Sequence, residues 1–225
     1  MLELPLSNPH PTHARRRGRP SKAEQARRGD ARPALIEAAH ELMLLKNSID
    51  VSVVDIANRL GQSAAVVQYH FDGKDGLLWA VLRRGTNRAV EQLTNLKTED
   101  IPADQKLRYH IRGLLKAYYD APYVNALMHH LSENSGPGGR DAVMMEFARP
   151  LVDFYEAVLA QGVREGIFRP VEPMFVYMML IGASDYIFSR RSALPALFDV
   201  SDLTDAIRRD YTDFLTTSLL KAISV

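Results

Sequence analysis

The side chains best suited to chemistry lie within GQSAAVVQYHF, residues 61–71. Their type and spacing suit recognition rather than bond-making. Ser63, Ala64 and Ala65 are small, so a helix opening with them can press its backbone close to a groove floor, and alanine methyls can meet thymine methyls. Gln68 has the paired donor and acceptor that match adenine. Tyr69 and His70 follow, where a phenol and an imidazole reach phosphate oxygens. Lys74 adds charge to the free amides of a helix N-terminus, and Ser52 offers a hydroxyl at the start of the preceding helix; both attract phosphate. The RRRGRP stretch supplies Arg16, Arg17 and Arg19, followed by Lys22. An extended arginine segment of this kind suits a narrow, strongly negative minor groove.

Catalytic alternatives are poorly supported. His129 and His130 are neighbours, so on a helix they diverge by roughly 100° and do not share a metal easily. His130 and Glu133 share a face, but His-x-x-Glu alone is a common surface contact. HExxH, GxSxG, P-loop and dinucleotide fingerprints are all missing. No catalytic residue, metal site or cofactor is expected.

The elements that must position these groups are helical. A helix is predicted from Pro33, with Leu35, Ala38, Ala39, Leu42 and Leu45 at helical spacing and Asn47 as a left-handed stop. Ser52 caps a second helix, with Asp55 placed to reach back; Val53, Ile56, Ala57 and Leu60 form its buried stripe, and Gly61 ends it. Ser63 is expected to cap a third, which Asp72-Gly73 breaks. A long fourth helix starts at Lys74. Short helices separated by a glycine turn make a helix-turn-helix. Further helices are predicted over 103–119, 122–134, 140–165, 172–190 and 202–222. The fold class is therefore all-α, a three-helix head on a larger helical body, with about nine helices. The expected division is a flexible basic arm (1–29), a DNA-binding head (30–74) and a body (75–225).

Bulk properties agree. The chain of 225 residues has no cysteine and a net charge of +1. Charge is uneven: residues 1–32 carry eight basic and three acidic side chains, against a mildly acidic remainder. A basic arm suggests a polyanionic partner, although solubilising tails share this composition. There is no signal-peptide pattern and no membrane span, so a cytoplasmic protein is expected.

Residues 33–82 resemble the DNA-binding head of the tetracycline-repressor (TetR) family. The resemblance is carried by LIEAAHELM, VSVVDIANRLGQSAAVVQYHF and GKDGLL, and more faintly by REGIFRPVEP in the body. Gln62, Gln68, Ser48 and Gly73 depart from the residues common there; Gln68 replaces a Tyr that commonly touches the DNA backbone. The resemblance implies a homodimer on a two-fold symmetric operator, joined through its last two long helices. Candidate interface residues are Phe175, Met178, Gly182 and Tyr186 on one, and Tyr211, Phe214, Leu215 and Ser218 on the other. It also implies a small-molecule pocket. Candidates are Tyr118, Met128, His129, Met144, Phe147, Tyr155, Met179 and Asp185, whose Met and aromatic content suits an apolar or aromatic effector. Effector binding would tilt the helix running from Asp75 to about Leu96 and so respace the two recognition helices. The competing reading from the same residues is an architectural DNA binder without an effector.

Overall fold

The computed structural model describes residues 31–225. Regular structure among them is helical, apart from one isolated antiparallel bridge between Phe168 and Ser224. No helix among them is long and apolar enough to cross a membrane.

The head is built from local signals. Helix α1 (Ala31–Lys46) stops at Asn47, whose φ of 46° is left-handed. Ser52 Oγ accepts the Asp55 amide at 3.0 Å and starts α2 (Val53–Asn58). Asp55 does not reach back to complete a capping box; its carboxylate lies 3.4 Å from Lys46 Nζ. Gly61, at φ 63°, turns the chain, and the Gln62 amide closes back onto the Ala57 carbonyl at 3.0 Å. Ser63 does not cap α3 (Ala65–Phe71). The first turn is wound tightly instead, with the Val66 and Val67 amides donating to the carbonyls of Ser63 and Ala64 at 3.0 and 3.1 Å. Asp72 (φ 56°) and Gly73 (φ 112°) end α3 and lead into α4 (Lys74–Thr98).

The body comprises α5 (Ala103–Asp120), α6 (Val124–Asn134), α7 (Pro137–Val143), α8 (Arg149–Arg164), α9 (Pro173–Ser189), α10 (Leu194–Phe198) and α11 (Asp205–Ile223). The segment expected as one helix over 140–165 is interrupted by a π-helical turn, Met144–Ala148, where the Arg149 amide reaches back to the Met144 carbonyl. Pro150 accounts for it: proline has no amide to donate and its ring would strike the Glu146 carbonyl, so the turn widens. This division and the short α10 take the helix number past the expected nine.

Two apolar clusters form the interior. One joins Leu35, Ala39 and Met43 of α1, Ile56 of α2, Val67 and Phe71 of α3 and Leu77–Leu82 of α4 to Leu127 and Leu131 of α6, Val143 and Phe147. The other gathers Leu93 of α4, Leu107, Ile111 and Leu115 of α5, Phe154 and Val158 of α8, Leu180 of α9 and Leu215 and Leu219 of α11. Full burial of each such leucine is worth about 1.5–3 kcal/mol. Helix α4 gives buried residues to both clusters, and the head shares its core with α6.

Candidate DNA-contact face and ligand cavity

Val67 and Phe71 anchor α3 inward, which turns its other face to solvent. Ser52, Ser63, Ala65, Gln68, Tyr69 and Lys74 are exposed, and Ala64 is half-buried. Gln68 already donates from Nε2 to Asp72 Oδ1 at 3.0 Å. A bidentate bond to adenine therefore requires that contact to open. His70 is placed differently from the exposed set. Its Nε2 is sealed from solvent without a hydrogen-bond partner among the described residues, and its ring meets Tyr69 and Phe71 edge-on at 4.9 and 6.3 Å. The Arg32 guanidinium lies over the Phe71 ring at 5.0 Å, which ties the start of α1 to α3. Arg16, Arg17, Arg19 and Lys22 lie outside the described residues.

Polar contacts tie α1 to α4 and to the start of α6, and α4 to the π-helical turn. Arg84 binds Glu37 of α1, and His40 Nδ1 lies 2.6 Å from the hydroxyl of Tyr123, just before α6. Burial pushes the Tyr123 phenol up to about 12 and, with the nearby Arg84 cation, holds the His40 imidazole below its ordinary value. Arg83 grips Glu146 of the π-helical turn through Nε at 2.6 Å and Nη2 at 2.8 Å, a two-pronged bond that holds the carboxyl below its usual range. Arg83 also lies 5.4 Å over the Trp79 ring, and Trp79 stacks on Phe147 at 6.3 Å.

Between the two clusters lies a cavity of about 150 Å³. Gly85, Ala89, Leu93 and Leu96 of α4 face Gly113, Leu114, Ala117 and Tyr118 of α5, with Val124, Met128, Phe147 and Leu151 closing it. No Lys, Arg, Asp or Glu lines it. Of the eight residues expected at a pocket, Tyr118, Met128 and Phe147 meet here. His129 and Met179 point to solvent, and Met144 is 46% exposed because the π-helical turn faces Phe147 inward instead. Tyr155 is buried behind the wall, bonded to His110, and Asp185 lies outside it, half-buried on α9. The small residues Gly85, Ala89, Gly113 and Ala117 carry no signal that singles them out in the sequence. For His110 the usable clue is its place on the apolar stripe Leu107, Ile111, Leu114 and Tyr118. Among the described residues no group of three or more His, Cys, Asp or Glu side chains is placed to hold a metal.

Helices α9 and α11 carry a broad exposed apolar face. Phe175, Met178, Tyr186 and Phe214 are 61–68% exposed, and Gly182 lies open beside them. Ser218 and Tyr211 are half-buried, and the Tyr211 hydroxyl donates to the Ala183 carbonyl at 3.2 Å. Leu215 belongs to the chain's own core at 4% exposure.

A short exposed helix held against a glycine turn, on a helical body, defines a helix-turn-helix DNA-binding regulator. Residues 35–81 match the family model for bacterial regulatory proteins of the tetR family, and residues 100–225 that for the tetracyclin repressor-like C-terminal domain. The chain belongs to the TetR family of transcriptional regulators. It is similar to the HTH-type transcriptional regulator BetI 1 of Chromohalobacter salexigens, 29% identical over 94 residues; these are 42% of this chain and only 45% of that protein's length. Its fold is similar to that of AibR in complex with isovaleryl coenzyme A and operator DNA (20% identity, 83% of this chain and 96% of that one, TM-score 0.63). It is likewise similar to FadR from Bacillus subtilis in complex with stearoyl-CoA (17% identity, 82% and 97%, TM-score 0.60).

Proposed function

We propose that the protein is a cytoplasmic repressor that binds a palindromic operator as a homodimer and is released when a small apolar or aromatic effector fills the cavity. The observation that carries this reading is the position of the cavity. It sits in the seam between the two cores, against the one helix among the described residues that contributes to both. A ligand there pushes α4 away from α5, and the near end of α4 follows the recognition helix across only Asp72 and Gly73. In the dimer the two recognition helices are spaced about one DNA turn, roughly 34–36 Å. A tilt of α4 changes that separation and lowers affinity, and by linkage DNA lowers effector affinity by the same factor.

Ser52, Ser63, Ala64, Ala65, Gln68, Tyr69 and Lys74 make the DNA contacts in this reading, and the arginine arm adds minor-groove contacts. Phe175, Met178, Gly182, Tyr186 and Phe214 pair the subunits, since an apolar face of that breadth is costly to leave in water. The acyl groups of the coenzyme A esters bound by AibR and FadR support an apolar occupant. The cavity counts against a ligand-free architectural role. The test is to titrate a panel of apolar and aromatic compounds into the operator complex. At least one is expected to lower operator affinity tenfold or more. Operator affinity indifferent to every compound that binds the protein would favour the architectural role.

A further inference from the structure

Gln92 and Tyr109 line the cavity as exposed side chains, and one buried polar group of its wall has incomplete bonding among the described residues. His110 is 7% exposed, and its Nε2 lies 2.7 Å from the hydroxyl of Tyr155. Tyr155 is fully buried and its hydroxyl has no other partner among the described residues, so the phenol proton must go to Nε2. The imidazole proton then sits on Nδ1. Nδ1 finds no acceptor among the described residues. Nor is it one of the sealed, unpartnered side-chain atoms, which are His70 Nε2, Ser135 Oγ and Ser184 Oγ. Because His110 lines the cavity, we infer that this unbonded, unsealed nitrogen opens onto it.

The other buried polar groups of the wall are committed. The Thr86 hydroxyl donates to the Leu82 carbonyl at 2.7 Å, and the Tyr118 hydroxyl donates to Asn125 Oδ1 at 2.8 Å. With no cation in the wall, an anionic head group buried here would lack a counter-charge and lose its hydration. A cavity of about 150 Å³ lined mainly by apolar side chains has the size that accepts benzene.

We propose that the cavity takes an uncharged, mainly apolar molecule with a body of about single-ring size and one oxygen that accepts a hydrogen bond, as in a ketone, ester or ether, and that His110 Nδ1–H orients it. This rests on reading the cavity as the effector site. Burial lowers the imidazole to about 3, so the donor stays neutral at cellular pH.

The test uses the full chain and three probes in titration calorimetry: cyclohexanone, methylcyclohexane and cyclohexanecarboxylate. The paired variant His110→Phe with Tyr155→Phe keeps both rings and leaves no phenol unpaired. Cyclohexanone affinity is expected to fall about tenfold in the variant, methylcyclohexane affinity to stay within about twofold, and the carboxylate to bind neither protein. Nitrogen-15 NMR of the unaltered chain should show His110 protonated on Nδ1, with that resonance moving on addition of cyclohexanone. An Nε2–H tautomer, equal losses for ketone and hydrocarbon, or carboxylate binding as tight as the ketone's would overturn the anchor while leaving the cavity a ligand site. Absence of binding by all three probes would overturn both.

Discussion

Gly76 stands where the head turns into the long helix. A Cβ there would lie 1.8 Å from the Phe71 carbonyl oxygen, a backbone atom fixed by α3. Gly76→Ala therefore has to move α3 against α4. The expected cost is about 1–3 kcal/mol, read as a lower urea midpoint, with operator affinity falling too. Gly113→Ala is the control, since nothing lies within 4 Å of its added carbon and the site is helical. At the same scale, His110 makes stability depend on pH. Its folded value of about 3 lies below the ordinary 6.5. Between those values the unfolded chain takes a proton that the folded chain refuses, so stability is full above about 6.5 and falls as pH drops toward 3. One such proton costs at most ~1.4 kcal/mol per pH unit. Denaturation midpoints measured from pH 6.5 to 4.5 should fall more steeply in the unaltered protein than in the His110→Phe, Tyr155→Phe pair.

Among the elements, the proposed release runs through α4 and the π-helical turn. Phe147 faces the cavity and stacks on Trp79, while its neighbour Glu146 holds Arg83, so movement of the turn is passed to α4 at two points. Arg83 is half exposed, so the ion pair itself adds little stability, about 0–1 kcal/mol. Glu146→Gln should leave operator affinity without effector within about twofold and shrink the effector-induced loss several-fold, as measured by fluorescence anisotropy on a labelled operator. An undiminished effector response would show that this contact does not carry the signal. The elements also divide by how far sequence reaches. Ser52, Asn47, Gly61 and Asp72-Gly73 act within a few residues, and each is legible as a cap or stop. The cavity is not local. It depends on which faces of α4, α5 and α6 come together, and small residues such as Gly85 and Gly113 are visible only as gaps in that packing. The exposed position of Met144 has the same origin, because the widening before Pro150 rotates the π-helical turn.

At the scale of the molecule, the described residues present one recognition helix and one broad exposed apolar face. In the proposed dimer a second copy covers that face and supplies the second reading head. The two properties are thus linked: a symmetric pair of half-sites on DNA requires the α9 and α11 surfaces to meet. Selection of bound duplexes from a random pool, using the purified full chain, tests this most directly. The expected outcome is enrichment of an inverted repeat whose half-sites are centred about one helical turn apart, bound by two chains. Recovery of no preferred sequence, or of a single half-site held by one chain, would contradict it.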